Sequence, residues 1–113
     1  MVELDSREPE ERLIIYGSLA PGGSNNFMFK GVEGNWHKCV ICGHMGRWRG
    51  FKSFKFDPDG QEHEAWMFES PALPGMYPDL DDFEGEEYRR ILIPARVGDQ
   101  WVIAHIYEGK NFD

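Results

Sequence analysis

Short apolar runs that alternate every second residue, separated by clusters of glycine and proline, set the pattern of this chain. Leu13-Ile14-Ile15-Tyr16 is unbroken and β-favouring, and it is halted by Gly17-Ser18 and then Pro21-Gly22-Gly23. That order predicts a buried strand emptying into a glycine-rich loop. Residues 38–48 predict a second strand, with Val40, Cys42 and His44 in one phase. Phe54 and Phe56 alternate up to Asp57-Pro58-Asp59-Gly60. Proline there presets φ and glycine supplies a positive φ, so a hairpin turn is expected, with His63 to Phe68 returning as the partner strand.

Pro71, Pro74 and Pro78 punctuate the next stretch, and Pro78 suits the first turn of a short helix running to about Phe83. Beyond Gly85, Ile91, Ile93, Ala95 and Val97 alternate on one strand, and Val102, Ala104 and Ile106 on another. Gly98-Asp99-Gln100 closes the two as a hairpin. Residues 1–11 are charged, carry Pro9, and are expected to form a flexible N-terminal tail ahead of a single domain over residues 12–113. These elements predict an α+β domain: a small, mostly antiparallel, curved or barrel-like sheet with one or two short helices.

Composition narrows the function. The 113 residues suffice for one modest core, and no apolar run approaches the roughly 18 residues of a membrane span. The opening MVELDSREPEER lacks the basic-then-apolar order of a signal peptide, so a cytoplasmic location is expected. Twelve basic against 20 acidic residues leave a net charge of −8, which disfavours a surface that tracks nucleic-acid phosphates. Net charge leaves small ligands open, because they respond to the local charge of a pocket.

Three stretches invite a chemical reading. His37, Cys39, Cys42 and His44 are the residue types of a tetrahedral zinc site. Strand alternation, however, sends Cys39 and Cys42 to opposite faces, so neither a metal site nor a mutual disulfide is expected, and packed thiols are the better account. Asp57, Asp59 and Glu62 around Gly60 resemble part of a calcium loop without its distal glutamate. Tyr16-Gly17-Ser18-Leu19 follows a buried strand and has the glycine that lets consecutive N–H groups gather round an anion; an ordinary turn is the commoner reading of four such residues. Glu84 is the odd acid in Leu80-Asp81-Asp82-Phe83-Glu84-Gly85-Glu86-Glu87. Phe83 beside it is expected to be drawn inward and Gly85 to end the helix, so Glu84 is either solvated or a partly buried carboxyl of raised pKa, fit for acid/base work.

Tyr16-Gly17-Ser18-Leu19 with Pro21-Gly22 and Asn26, then Leu80 to Gly85, Tyr88-x-Arg90 and the strand Ala104 to Tyr107, resemble in order and spacing the gamma-glutamylcyclotransferase-like family. The match runs from about residue 12 to 108. The resemblance implies a small mixed β-barrel with short flanking helices, and an enzyme that releases 5-oxoproline and a free amine from a small γ-glutamyl amine or peptide. Carried over, Glu84 is the general base and acid, and Tyr16, Gly17, Ser18, Leu19, Tyr88 and Tyr107 bind substrate. It implies no metal and no organic cofactor. Phe68-Glu69-Ser70-Pro71 departs from the family, standing where a glycine-containing strand end is expected, and His37 to His44 is no family motif. The competing expectations are a ligand-binding module that keeps the pocket without turnover, and a small metalloprotein using residues 37–44.

Overall fold

A computed structural model describes residues 9–110. Most of the expected tail, residues 1–8, lies outside the described residues; Pro9–Glu11 form a 3-10 turn. Six strands and one α-helix follow: β1 (Arg12–Ile15), β2 (Asn35–Trp48), β3 (Phe51–Phe56), β4 (Gln61–Glu69), α1 (Leu73–Glu84), β5 (Tyr88–Val97) and β6 (Gln100–Gly109), with a 3-10 turn at Asn26–Phe29 between β1 and β2. The sheet order is β3-β2-β4-β1-β6-β5, and pairing of Val40 with Arg96 joins β5 back to β2. The result is a closed five-stranded mixed barrel, β2-β4-β1-β6-β5, with β3 attached. Its one parallel contact is between β1 and β6.

All four residues of β1 are buried. Ile14 points into the barrel with Ile41, Met67, Ile93 and Ile106, while Leu13 and Ile15 meet Leu73, Tyr77 and Leu80 of α1 on the outside. A strand covered on both faces reads as a continuous apolar run, which is why Leu13-Ile14-Ile15 does not alternate.

One expectation about pairing and one about the helix are corrected. The turn at residues 57–60 does not join partners: β3 and β4 each pair with β2, and Gly43 is opposite both Phe56 and Gln61. At 14 residues β2 is long enough to take them in succession. A Cβ on Gly60 would lie 2.7 Å from the Gly43 Cα, so backbone meets backbone at the changeover. The partner of β3 is reached through a two-residue turn at Arg49 and Gly50, with φ of 53° and 85°. Finally, α1 begins at Leu73, with Pro74 in its first turn, and Pro78 lies inside it. Proline is well placed at a helix start, but Pro78 here only removes one interior N–H donor on an exposed face.

The β5–β6 hairpin matches its expectation, with Gly98 at φ 59° as the first of two loop residues, the position a type II′ turn reserves for glycine. Cys39 is buried in the barrel, and Cys42 lies partly exposed on the other face of β2. His37 approaches Glu69 at 3.5 Å and His44 approaches Asp57 at 2.9 Å, so the two histidines turn to separate carboxylates. Among the described residues no group of three His, Cys, Asp or Glu side chains could hold a metal ion, and no helix is long and apolar enough to cross a membrane.

Candidate active site

The helix phase explains Glu84. Leu73, Tyr77 and Leu80 are the buried residues of α1, spaced four and three apart, and Glu84 stands four beyond Leu80 on the same stripe. A carboxyl therefore occupies the last position of an apolar face. Gly85, at φ 76°, takes a conformation that other residues adopt at a cost, and its N–H donates to the Asp81 carbonyl at 2.9 Å to end the helix. Phe83 is not drawn inward: it is 42% exposed, because it falls off the stripe. Burial alone pushes the Glu84 carboxyl from its ordinary 4.5 up to about 7.

Glu84 opens onto a cavity of about 670 Å³. Tyr16 to Leu19 line one side, the tip of the β2–β3 hairpin with Arg47, Phe51 and Lys52 lines a second, and Phe83, Glu87 and Tyr88 lie along a third. Tyr107 of β6 also faces it. All seven residues expected at the site thus line one cavity. Arg47, Lys52, Phe51, Asn25 and Glu87 line it as well and were not foreseen. Asn25 and Glu87 adjoin the two recognised motifs, which is the signal that was open to use. The hairpin tip gave none, because Arg49-Gly50 is not one of the dipeptides that announce a tight turn.

The loop after β1 is tied by its own side chains. Asn25 Nδ2 donates to the Ser18 hydroxyl at 2.9 Å and Asn26 Nδ2 to the Leu19 carbonyl at 2.8 Å. The Gly17 carbonyl accepts from the Ala20 N–H, and the Ser18 carbonyl from the Asn25 N–H. Carbonyls and side chains of the loop are thereby engaged, whereas the N–H groups of Gly17, Ser18 and Leu19 meet no acceptor among the described residues. These three successive residues also line the cavity.

The three tyrosine hydroxyls are already in use. Tyr16 donates to the Tyr107 carbonyl at 2.6 Å and accepts from the Phe54 N–H at 3.2 Å. Tyr88 donates to the Lys52 carbonyl at 2.9 Å, linking the start of β5 to the hairpin tip. Tyr107 donates to Asp81 at 2.6 Å. Burial, reinforced by the neighbouring carboxylates, holds Tyr16 and Tyr107 above the usual phenol range, so both stay protonated donors. Their contribution is to fix walls and present ring faces. Among these cavity groups, Glu84 is the one whose burial brings its pKa to about 7.

Where a glycine-containing strand end was expected, Ser70 leads into α1. Its hydroxyl accepts from the Ala72 N–H at 3.1 Å and its own N–H donates to the Glu11 carbonyl at 2.9 Å.

No family model matches the chain, and no curated protein does. Solved structures do match. YkqA from Bacillus subtilis superposes at a TM-score of 0.73 and 17% identity over 90% of this chain, which spans only 36% of YkqA. The solution structure of At5g39720.1 from Arabidopsis thaliana gives 0.70 and 18% over 89% of this chain and 69% of that one. A mouse AIG2-like protein, also named GGACT, gives 0.63 and 14% over 91% and 79%. At these identities the likeness is one of fold, and the chain has the gamma-glutamylcyclotransferase-like fold.

Proposed function

We propose that this domain is a cyclotransferase that converts a small γ-glutamyl amine or peptide into 5-oxoproline and a free amine, with Glu84 carrying the protons. The observation behind the reading is that one cavity holds both a desolvated carboxyl of pKa about 7 and three backbone N–H groups without acceptors. A γ-glutamyl group needs both: a cradle for its α-carboxylate and a base for its α-ammonium.

The chemistry follows from that pairing. The N–H groups of Gly17, Ser18 and Leu19 hold the α-carboxylate, which brings the adjacent ammonium toward Glu84. Glu84, as carboxylate, takes one ammonium proton. The freed amine attacks the γ-carbonyl carbon, forming the lactam C–N bond. Collapse breaks the bond to the leaving nitrogen, which receives that proton from Glu84. The second proton lost by the attacking nitrogen follows by the same carboxyl, so the product amine departs as an ammonium. Both reacting ends belong to one molecule, so orientation and proton transfer are what the protein must supply. Phe51, Phe83, Arg47 and Lys52 also line the cavity and are left to meet the leaving amine. No cofactor takes part in this scheme, and the substrate is a small solute, expected in the cytoplasm.

The test is 5-oxoproline release from a panel of γ-glutamyl amines and dipeptides. Release by the wild type and its loss in Glu84→Gln would support the reading. Binding of the panel without release would make the domain a ligand-binding module instead.

A further inference from the structure

The last turn of α1 has little of its own to hold it. Leu80 is its final fully buried side chain and Phe83 is exposed. Asp79, Asp81, Asp82 and Glu84 crowd the C-terminal end with no basic residue in that turn, against the helix dipole. Gly75 and the interior Pro78 weaken the helix further. Yet this turn carries Glu84.

What meets it comes from the barrel. Arg90 of β5 forks onto Asp81, with Nε 3.0 Å from one carboxylate oxygen and Nη2 3.3 Å from the other. The same guanidinium lies 3.9 Å over the Tyr77 ring. Tyr107 of β6 donates its hydroxyl to Asp81 at 2.6 Å. Burial opposes ionisation of Asp81, but these two partners outweigh it and hold the carboxyl below its usual range. Tyr107 in turn accepts from the Tyr16 hydroxyl through its backbone carbonyl. Tyr107 therefore stands between the loop after β1 and the end of α1, and Asp81 is its grip on the helix.

We infer that Asp81 is a positioning residue: through Tyr107 and Arg90 it fixes the last turn of α1 and so holds the Glu84 carboxyl in the cavity opposite the loop. The catalytic part of this inference rests on the reading of Glu84 as the proton carrier. The ionisable groups facing Glu84 are Tyr16 from the end of β1, Tyr88 and Glu87 at the start of β5, and Tyr107 from β6, with Arg47 and Lys52 on the hairpin. The three tyrosines are all raised, chiefly by burial, so they do not ionise near neutrality.

Two readouts test it in the full chain. The first follows the Glu84 side-chain carboxyl by carbon NMR as pH is varied, which needs no substrate. In Asp81→Asn the turn loosens, water reaches Glu84, and its titration should fall from near 7 toward the ordinary carboxylate range of about 4.3. The second is turnover of a γ-glutamyl substrate. A misplacement on the order of 1 Å can cost about 10²-fold, so kcat should fall at least roughly 10-fold and the acid limb of the rate profile should move to lower pH. Affinity for 5-oxoproline should stay within a few-fold, because the Tyr16 bond goes to the Tyr107 backbone. Tyr107→Phe, which leaves the Arg90 fork in place, should show part of the effect, and Tyr107→Phe added to Asp81→Asn should do little more than Asp81→Asn alone. Arg90→Lys, which keeps charge but loses the fork, should fall between them and wild type, and it serves where Asp81→Asn does not fold. A folded Asp81→Asn with wild-type Glu84 titration overturns the inference, even if its melting temperature falls. Normal turnover by Glu84→Gln would defeat the cyclotransferase reading alone, and the NMR titration would still decide whether Asp81 holds Glu84.

Discussion

Replacing Glu84 by Gln should make this protein a poorer catalyst and, above neutral pH, a more stable fold. The carboxyl is desolvated in the folded chain and solvated in the unfolded one, so its pKa rises from 4.5 to about 7 on folding. A group raised in this way contributes its full stability below the unfolded value and loses it as pH climbs through the folded one. Each unit corresponds to about 1.4 kcal/mol, so ionised Glu84 costs the fold about 3 kcal/mol at pH 8 relative to a neutral side chain. Gln has nearly the same shape and no charge to bury. For a domain of this size that gain would raise the melting temperature by on the order of 10 °C, and it should fade to nothing by about pH 4. Turnover moves the other way: a positioned proton carrier contributes about 10²–10⁴-fold, so 5-oxoproline release should drop by at least the lower figure, while the wild-type rate rises with pH through about 7. Thermal melts of both proteins at pH 4, 6 and 8, beside rate profiles, make the check. Equal melting curves at pH 8 would mean that Glu84 is solvated, and the case for it as a tuned base would collapse.

Other outcomes follow from local geometry. Gly17→Val should fold normally, since a Cβ there meets nothing within 4 Å, yet its side chain would enter the cavity and abolish 5-oxoproline binding by calorimetry. Gly60→Ala should destabilise by about 1–3 kcal/mol in a denaturant titration, because its Cβ would lie 2.7 Å from the Gly43 Cα and backbone would have to move. Cys42 should react with a thiol reagent in the native state while Cys39 stays silent until unfolding, since burial pushes the Cys39 thiol up to about 12. One zinc per chain in elemental analysis would contradict the separation of His37 and His44.

Much of the strand pattern was legible because alternation survives wherever one face is covered and the other is not. Ile91 to Val97 and Val102 to Ile106 show this, and Gly98 announces their turn. A barrel was expected from the alternation and the resemblance, but the pair that closes it, Val40 with Arg96, leaves no local mark. The helix starts at Leu73 rather than near Pro78 because Pro74 and Pro78 are both acceptable first-turn residues, and only the packing of Leu73 and Tyr77 on β1 decides between them. Glu84 was singled out from its neighbours Phe83 and Gly85. Gly85 does end the helix, but the burial of Glu84 comes from the 73-77-80-84 stripe, visible only once the helix is begun at Leu73. Arg47 and Lys52 reach the cavity through a hairpin whose turn residues carry no signal.

The parallel contact between β1 and β6 bears on how this chain folds. The hydrogen bond from Tyr16 to Tyr107 joins residues 91 apart, so it cannot form until nearly the whole chain has been gathered. The β5–β6 hairpin needs only a two-residue loop, which places it among the fast, local events. β1 lies between β4 and β6, so the loop after it cannot meet the end of α1 until that strand is seated. Intermediates that lack this step can hold most of the sheet and still have no cavity. Recovery of activity after dilution from denaturant should therefore lag behind recovery of strand signal, and it measures closure of the barrel rather than formation of its strands.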